Sequence, residues 1–142
     1  MSADAWKPVF DFLEHEARFQ AAAATATGAA AAWWLKSLLA PAKDAPPLPH
    51  PTASRIAAAL LALASFLFLV TEGRLSARYG ELARHLALGE AVPREWTALL
   101  VRDVASFAVV QAWWPYYGAR AILLLVGVIV VWTLFRSHSK GP

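Results

Sequence analysis

Ala121-Ile122-Leu123-Leu124-Leu125-Val126-Gly127-Val128-Ile129-Val130-Val131-Trp132-Thr133-Leu134-Phe135 carries no charged residue and is fenced by Arg120 and Arg136. A helix apolar all round has no face to offer water, so this stretch reads as a helix wrapped by lipid. Three more uncharged runs share the chain: Phe19–Leu35, Ile56–Thr71 and Val104–Ala119. Crossing a hydrocarbon core of about 30 Å takes about 20 apolar residues, so runs this short span it with snorkelling flanks or a thinned bilayer. The expected fold class is all-α: an integral membrane helical bundle of about four transmembrane helices plus two amphipathic interfacial helices.

Composition agrees. The chain is 58% hydrophobic and 16% charged, against soluble averages of about 45–50% and about 25%. Too few charges remain to cover a soluble surface of this size. The absence of cysteine excludes a disulfide framework, a thiolate nucleophile and a zinc-thiolate site. A net charge of +3 is too small to argue for nucleic acid, and a basic cytosolic fringe explains it as well. The amino terminus has no basic region leading into an apolar block, and no lipidation motif is visible, so the chain is expected to enter the membrane through its own helices.

One membrane domain over 1–142 accommodates all segments. Residues 4–18 place Trp6, Val9, Phe10, Leu13 and Ala17 at three- and four-residue steps against Asp4, Lys7, Asp11, Glu14 and Arg18, which predicts an amphipathic helix in the interface or under the bundle. The first crossing, 19–39, is rich in Ala and only weakly apolar, which suits a helix facing protein. Ala24, Gly28 and Ala32 form a small-xxx-small stripe for close helix packing, and Trp33 and Trp34 before Lys36 read as an interfacial belt. A proline-rich loop, 40–52, connects to the second crossing, 53–71, with Thr52 or Ser54 as its cap. A second amphipathic helix, 72–88, follows and ends at Gly89. Its Arg74, Arg78 and His85 form a candidate contact for an anion or a lipid headgroup, or a solvated face.

Residues 90–96 read as a turn marked by Trp96. The third crossing, 97–114, takes in Arg102 and Asp103 about one turn deep, with Ser106 on the same sector. Charges within a membrane helix are costly and usually functional, although Arg102 at this depth is also able to snorkel to the interface. Trp113, Trp114, Tyr116 and Tyr117 around Pro115 and Gly118 predict an aromatic belt and a tight turn into the fourth crossing, 119–136.

With four crossings, Lys7, Arg18, Arg74, Arg78, Arg84, Arg94, Arg136 and Lys140 fall on one side and Lys36, Lys43, Arg55 and Arg120 on the other. That asymmetry predicts both termini in the cytosol. A bacterial inner membrane fits the Ala- and Arg-rich composition. No catalytic, cofactor or metal residues are expected, since the four histidines lie outside the uncharged runs and are not spaced as metal pairs.

Two functions of different class fit. In one, copies assemble through the Ala-rich helix, and Arg102, Asp103 and Ser106 line or gate an ion-conducting pore of the stress- or defence-effector kind. In the other, the chain is a non-catalytic accessory subunit of a larger membrane complex. A small-molecule transporter, with Asp103 as its intramembrane carboxylate, comes third. The expected partners are the lipid bilayer and either further copies of the chain or a larger membrane complex.

Overall fold

A seam of small and apolar side chains at alternating three- and four-residue steps pairs two long helices. The computed structural model describes residues 3–39, 50–93 and 114–138. After a 3-10 turn, Ala3–Trp6, these residues form α1 (Lys7–Leu39), α2 (Pro51–Leu88) and α3 (Trp114–His138), with no strand among them. In α1 the buried positions are Val9, Leu13, Gln20, Ala24, Thr27 and Ala31. In α2 they include Ala57, Leu61, Ala64, Phe68, Thr71 and Leu82. Both sets follow the heptad spacing that lets two helices pack side by side over many turns.

The pair is antiparallel. Phe10 meets Tyr79 edge-on with ring centroids 4.9 Å apart, Ala24 faces Ser65, and Ala31 packs with Ala57 and Leu61. α3 covers only one half of this hairpin: Ala119 joins Ala24, Ala64, Leu67 and Phe68, and Val126 joins Ala31, Ala57 and Leu61. The molecule therefore has an apolar three-helix slab, made by the later part of α1, the earlier part of α2 and α3. Beyond it extends a charged two-helix stalk with its own core of Trp6, Val9, Leu13 and Leu82.

Several expectations change. Among the described residues two helices, α2 and α3, are long and apolar enough to cross a membrane, so a four-crossing bundle is not supported. Residues 19–39 are helical but too rich in Ala to join that set, and residues 97–113 of the third crossing, with Arg102, Asp103, Ser106 and Trp113, lie outside the described residues, as does Trp96 before it.

The two amphipathic segments are not separate interfacial helices. They continue α1 and α2 without a break, because their apolar faces stay in phase with the seam and bury each other. Gly73 and Gly80, where an added Cβ would meet no other group within 4 Å, do not interrupt α2. The helix starts with His50 as N-cap and Pro51 in its first turn, and neither Thr52 nor Ser54 caps it; proline suits that position because the missing amide hydrogen would have had no partner.

Gly89 ends α2 as expected. Its φ of 66° lies in the left-handed region, and the Glu90 amide donates to the His85 carbonyl at 3.0 Å. Pro115 and Gly118 do not form a turn: Pro115 sits buried in the first turn of α3, and Gly118 brings that helix against Leu67, whose Cδ1 would lie 3.4 Å from an added Cβ.

α3 also runs parallel to α1. Arg120 therefore lies beside Phe19, and Arg136 lies with Trp132 near His50. The start of α1 and the end of α3 are at opposite ends of the described helices.

The tightest helix approach is at Gly28, where an added Cβ would stand 3.0 Å from Ser65 Oγ. Gly28→Leu is expected to cost about 1–3 kcal/mol through overpacking. Gly127→Leu, at a position with open space around it, should be neutral or gain up to about 1 kcal/mol from helix propensity. Loss of helical circular dichroism in a denaturant series on the full chain in mild detergent measures both; equal effects would refute the packing assignment.

Candidate functional site

The junction between slab and stalk gathers the polar groups of the interior. At this level α1 contributes Glu16, Phe19 and Gln20, and α3 contributes Tyr116 and Arg120. Arg120 Nη1 donates to the Tyr116 carbonyl at 3.0 Å, one turn back. Its guanidinium carbon lies 3.6 Å from the Tyr116 ring centroid and 5.9 Å from that of Phe19, which places a cation on an aromatic face. Tyr117 meets Tyr116 edge-on at 5.2 Å.

Gln20 is fully buried. Its Nε2 donates to Glu16 Oε2 at 3.1 Å, while its Oε1 has no hydrogen-bond partner. Reversing the amide would set oxygen against carboxylate, so this orientation is the better one. Other buried hydroxyls satisfy themselves: Thr27 donates to the Ala23 carbonyl at 2.7 Å and Thr71 to the Leu67 carbonyl at 2.8 Å. Ser65 Oγ instead crosses between helices, donating to the Ala24 carbonyl at 2.8 Å.

The small-residue stripe is partly as expected. Ala24 is buried and Gly28 adjoins Ser65, but Ala32 faces outward and Ala31 is buried instead. A strict four-residue step drifts by about 40° around a helix, so the seam corrects itself with a three-residue step.

On the stalk, Arg78 pairs with Glu81 at 3.0 Å and His85 Nδ1 lies 3.0 Å from Glu90 Oε2, a contact that is ionic only when the imidazole is protonated. Its geometry falls short of a hydrogen bond, since Nδ1 has no such partner. Arg78 and His85 thus stand beside carboxylates of their own chain, and Arg74 is exposed. Lys7 pairs with Asp11 and Arg18 with Glu14. The hydrogen bond to Asp11, with its charge, raises the Lys7 ammonium above its ordinary value.

Aromatic residues mark both ends of the slab. Trp33, exposed, and Trp34, half-buried, lie on α1 near Lys36, and Trp132 on α3 is at the same end. Trp114, Tyr116 and Tyr117 are at the junction end, together with Phe19. From Tyr116 to Arg136 the helix rises about 30 Å, the thickness of a bilayer core. No group of three or more His, Asp or Glu side chains gathers as a metal site among the described residues.

These features define an all-helical protein with two helices long and apolar enough to cross a membrane. Comparison with protein-family models, curated proteins and solved structures finds no match for the chain.

The buried carbonyl of Gln20 gives a test of the junction. Gln20→Met removes the unpartnered Oε1 together with the Nε2 that donates to Glu16, at nearly constant volume, so the two effects offset and the unfolding free energy should change by less than about 1 kcal/mol. A larger loss in the same denaturant series would show that the amide is satisfied in solution. In the stalk, Leu82→Ala should cost about 2–5 kcal/mol locally. Trypsin would then cut at Arg74, Arg78 and Arg84 faster than in the parent chain, with cleavage elsewhere unchanged; unchanged rates there would mean that the stalk is not held by this core.

Proposed function

We propose that the chain is an integral membrane protein without catalytic activity, an anchored subunit whose slab lies in the bilayer and whose stalk stands in water to engage a larger complex. The outward face of α3 carries this reading. Only 11% of its most apolar stretch is buried, and Leu124, Val128, Leu134 and Phe135 are all more than half exposed. A contiguous apolar band of this kind is unfavourable in water and favourable in lipid or against another membrane helix. The aromatic ends of the slab, spaced like a bilayer core, support the same placement.

Basic residues favour the stalk as the cytosolic side. Among the described residues Lys7, Arg18, Arg74, Arg78, Arg84 and Arg120 belong to the stalk and junction, and Lys36, Arg55 and Arg136 to the far end. A bacterial inner membrane, with the start of α1 in the cytosol, is the localisation this favours.

A second reading, assembly of several copies into a gated ion path, draws support from the polar side chains Thr27 and Ser65 within the slab and Gln20 and Thr71 toward the junction. Polar groups at that depth are expensive in lipid and commonly serve transport. The proposed lining residues, Arg102, Asp103 and Ser106, belong to the segment outside the described residues.

Reconstitution separates these readings. The full chain in liposomes should float with the vesicles, resist carbonate extraction, and yield a protected fragment containing α3 while the stalk is digested. Extraction by carbonate would refute membrane insertion. As an anchored subunit, the chain should give no conductance in planar bilayers. Ion currents whose selectivity changes in Arg102→Ala and Asp103→Ala would replace that reading with the pore.

A further inference from the structure

The far end of the slab holds a cleft between the start of α2 and the end of α3, lined by His50, Thr52, Ala53, Ile56, Ile129 and Trp132. Its volume of about 430 Å³ falls in the range of ligand sites, about 300–1,000 Å³. We propose that this cleft binds one anionic phospholipid, its phosphate held near Arg136 and His50 and an acyl chain lying along Ile56 and Ile129. The inference rests on the membrane reading above.

Charge supports the headgroup. Residues 31–39, 50–71 and 119–136 contain Lys36, His50, Arg55, Arg120 and Arg136 and no Asp or Glu. All of these except Arg120, which belongs to the junction, lie at the cleft end. The acidic residues among those described, Asp4, Asp11, Glu14, Glu16, Glu72, Glu81 and Glu90, lie at the junction or on the stalk. Among the described residues an anion arriving at this end therefore meets Lys36, Arg55 and Arg136 and no carboxylate.

Trp132 organises the cleft. The Arg136 guanidinium carbon lies 4.6 Å from its ring centroid, and the His50 ring is 5.8 Å away, tilted by 39°. One indole thus contacts both His50, which lines the cleft, and Arg136, which lies beside it, and tryptophan prefers the headgroup boundary. The amino terminus of α2, uncapped by any side chain, adds a favourable dipole for negative charge.

The apolar walls decide between sources of phosphate. Ile56 is half exposed and, with Ile129 and Ala53, continues the cleft toward the middle of the slab. A soluble phosphate would leave this surface bare, whereas a phospholipid covers it with its chain. A neutral phosphatidylcholine would bring its own cation against Arg136 and gain less.

The test uses the full chain in vesicles of equal phosphatidylglycerol and phosphatidylcholine, followed by mild detergent extraction and native mass spectrometry. Flotation with the vesicles is the control for the membrane reading, and its failure sinks that reading on its own. In the floated protein, phosphatidylglycerol should be retained over phosphatidylcholine. Arg136→Gln should reduce the retained lipid about fivefold, Ala53→Trp should abolish retention by filling the cleft while helical content stays constant, and Arg84→Gln on the stalk should change nothing.

Retention of both lipids in their bulk ratio would overturn the proposal, as would undiminished phosphatidylglycerol in both cleft variants. Displacement of the lipid by excess inorganic phosphate would assign the site to a soluble anion instead. A dimer mass lost in Ala53→Trp, without bound lipid, would assign it to a second copy.

Discussion

Close approach of α1 and α2 at Gly28 is the constraint from which the rest of the arrangement follows. There the Ser65 hydroxyl occupies the space a Cβ would need and donates to the Ala24 carbonyl. A hydroxyl buried between apolar helices gains by finding an acceptor, and the small residues around it let the backbones come near enough to supply one. Once that contact is set, the antiparallel register follows along both helices. Ala31 reaches Ala57 on one side and Phe10 reaches Tyr79 on the other. α3 then packs its own small residues, Gly118 and Ala119, onto Leu67 and the surface formed by the pair.

The sequence was informative where one physical signal dominated. The all-helical class and the end of α2 at Gly89 are legible from periodicity and glycine chemistry, and the small size of Ala24 and Gly28 agrees with where they lie, Ala24 buried and Gly28 beside Ser65. It misled where a change in composition was taken for a change in structure. Arg18 to Phe19 and Thr71 to Glu72 are boundaries of hydrophobicity, and the helices ignore them because the buried seam continues in phase across both. Ala32 was one residue out for a similar reason, since a fixed step of four cannot follow a period of 3.6.

The direction of α3 had no local signature. Charge counting rests on strict alternation of crossings, whereas α3 runs parallel to α1, with Arg120 beside Phe19 and Arg136 near His50. Gln20 was hidden too. A glutamine in an Ala-rich run is unremarkable by spacing, and its burial depends on α2 and α3 closing over it. Its one signal in the sequence is position: it keeps the same seven-residue interval from Leu13 and Thr27 that the other seam residues keep.

Continuity of α1 and α2 through both halves has a mechanical consequence. A joint between an interfacial helix and a crossing would let stalk and slab tilt independently, because a loop transmits little torque. Two helices that share an unbroken seam over about 40 Å move instead as one lever. Rotation or tilt of the slab then displaces Leu82 and Trp6 together, without a hinge to absorb it. Along that lever the junction differs from the seams in its polar content: Gln20 leaves a carbonyl without a partner there, and Arg120 rests on the Tyr116 and Phe19 rings.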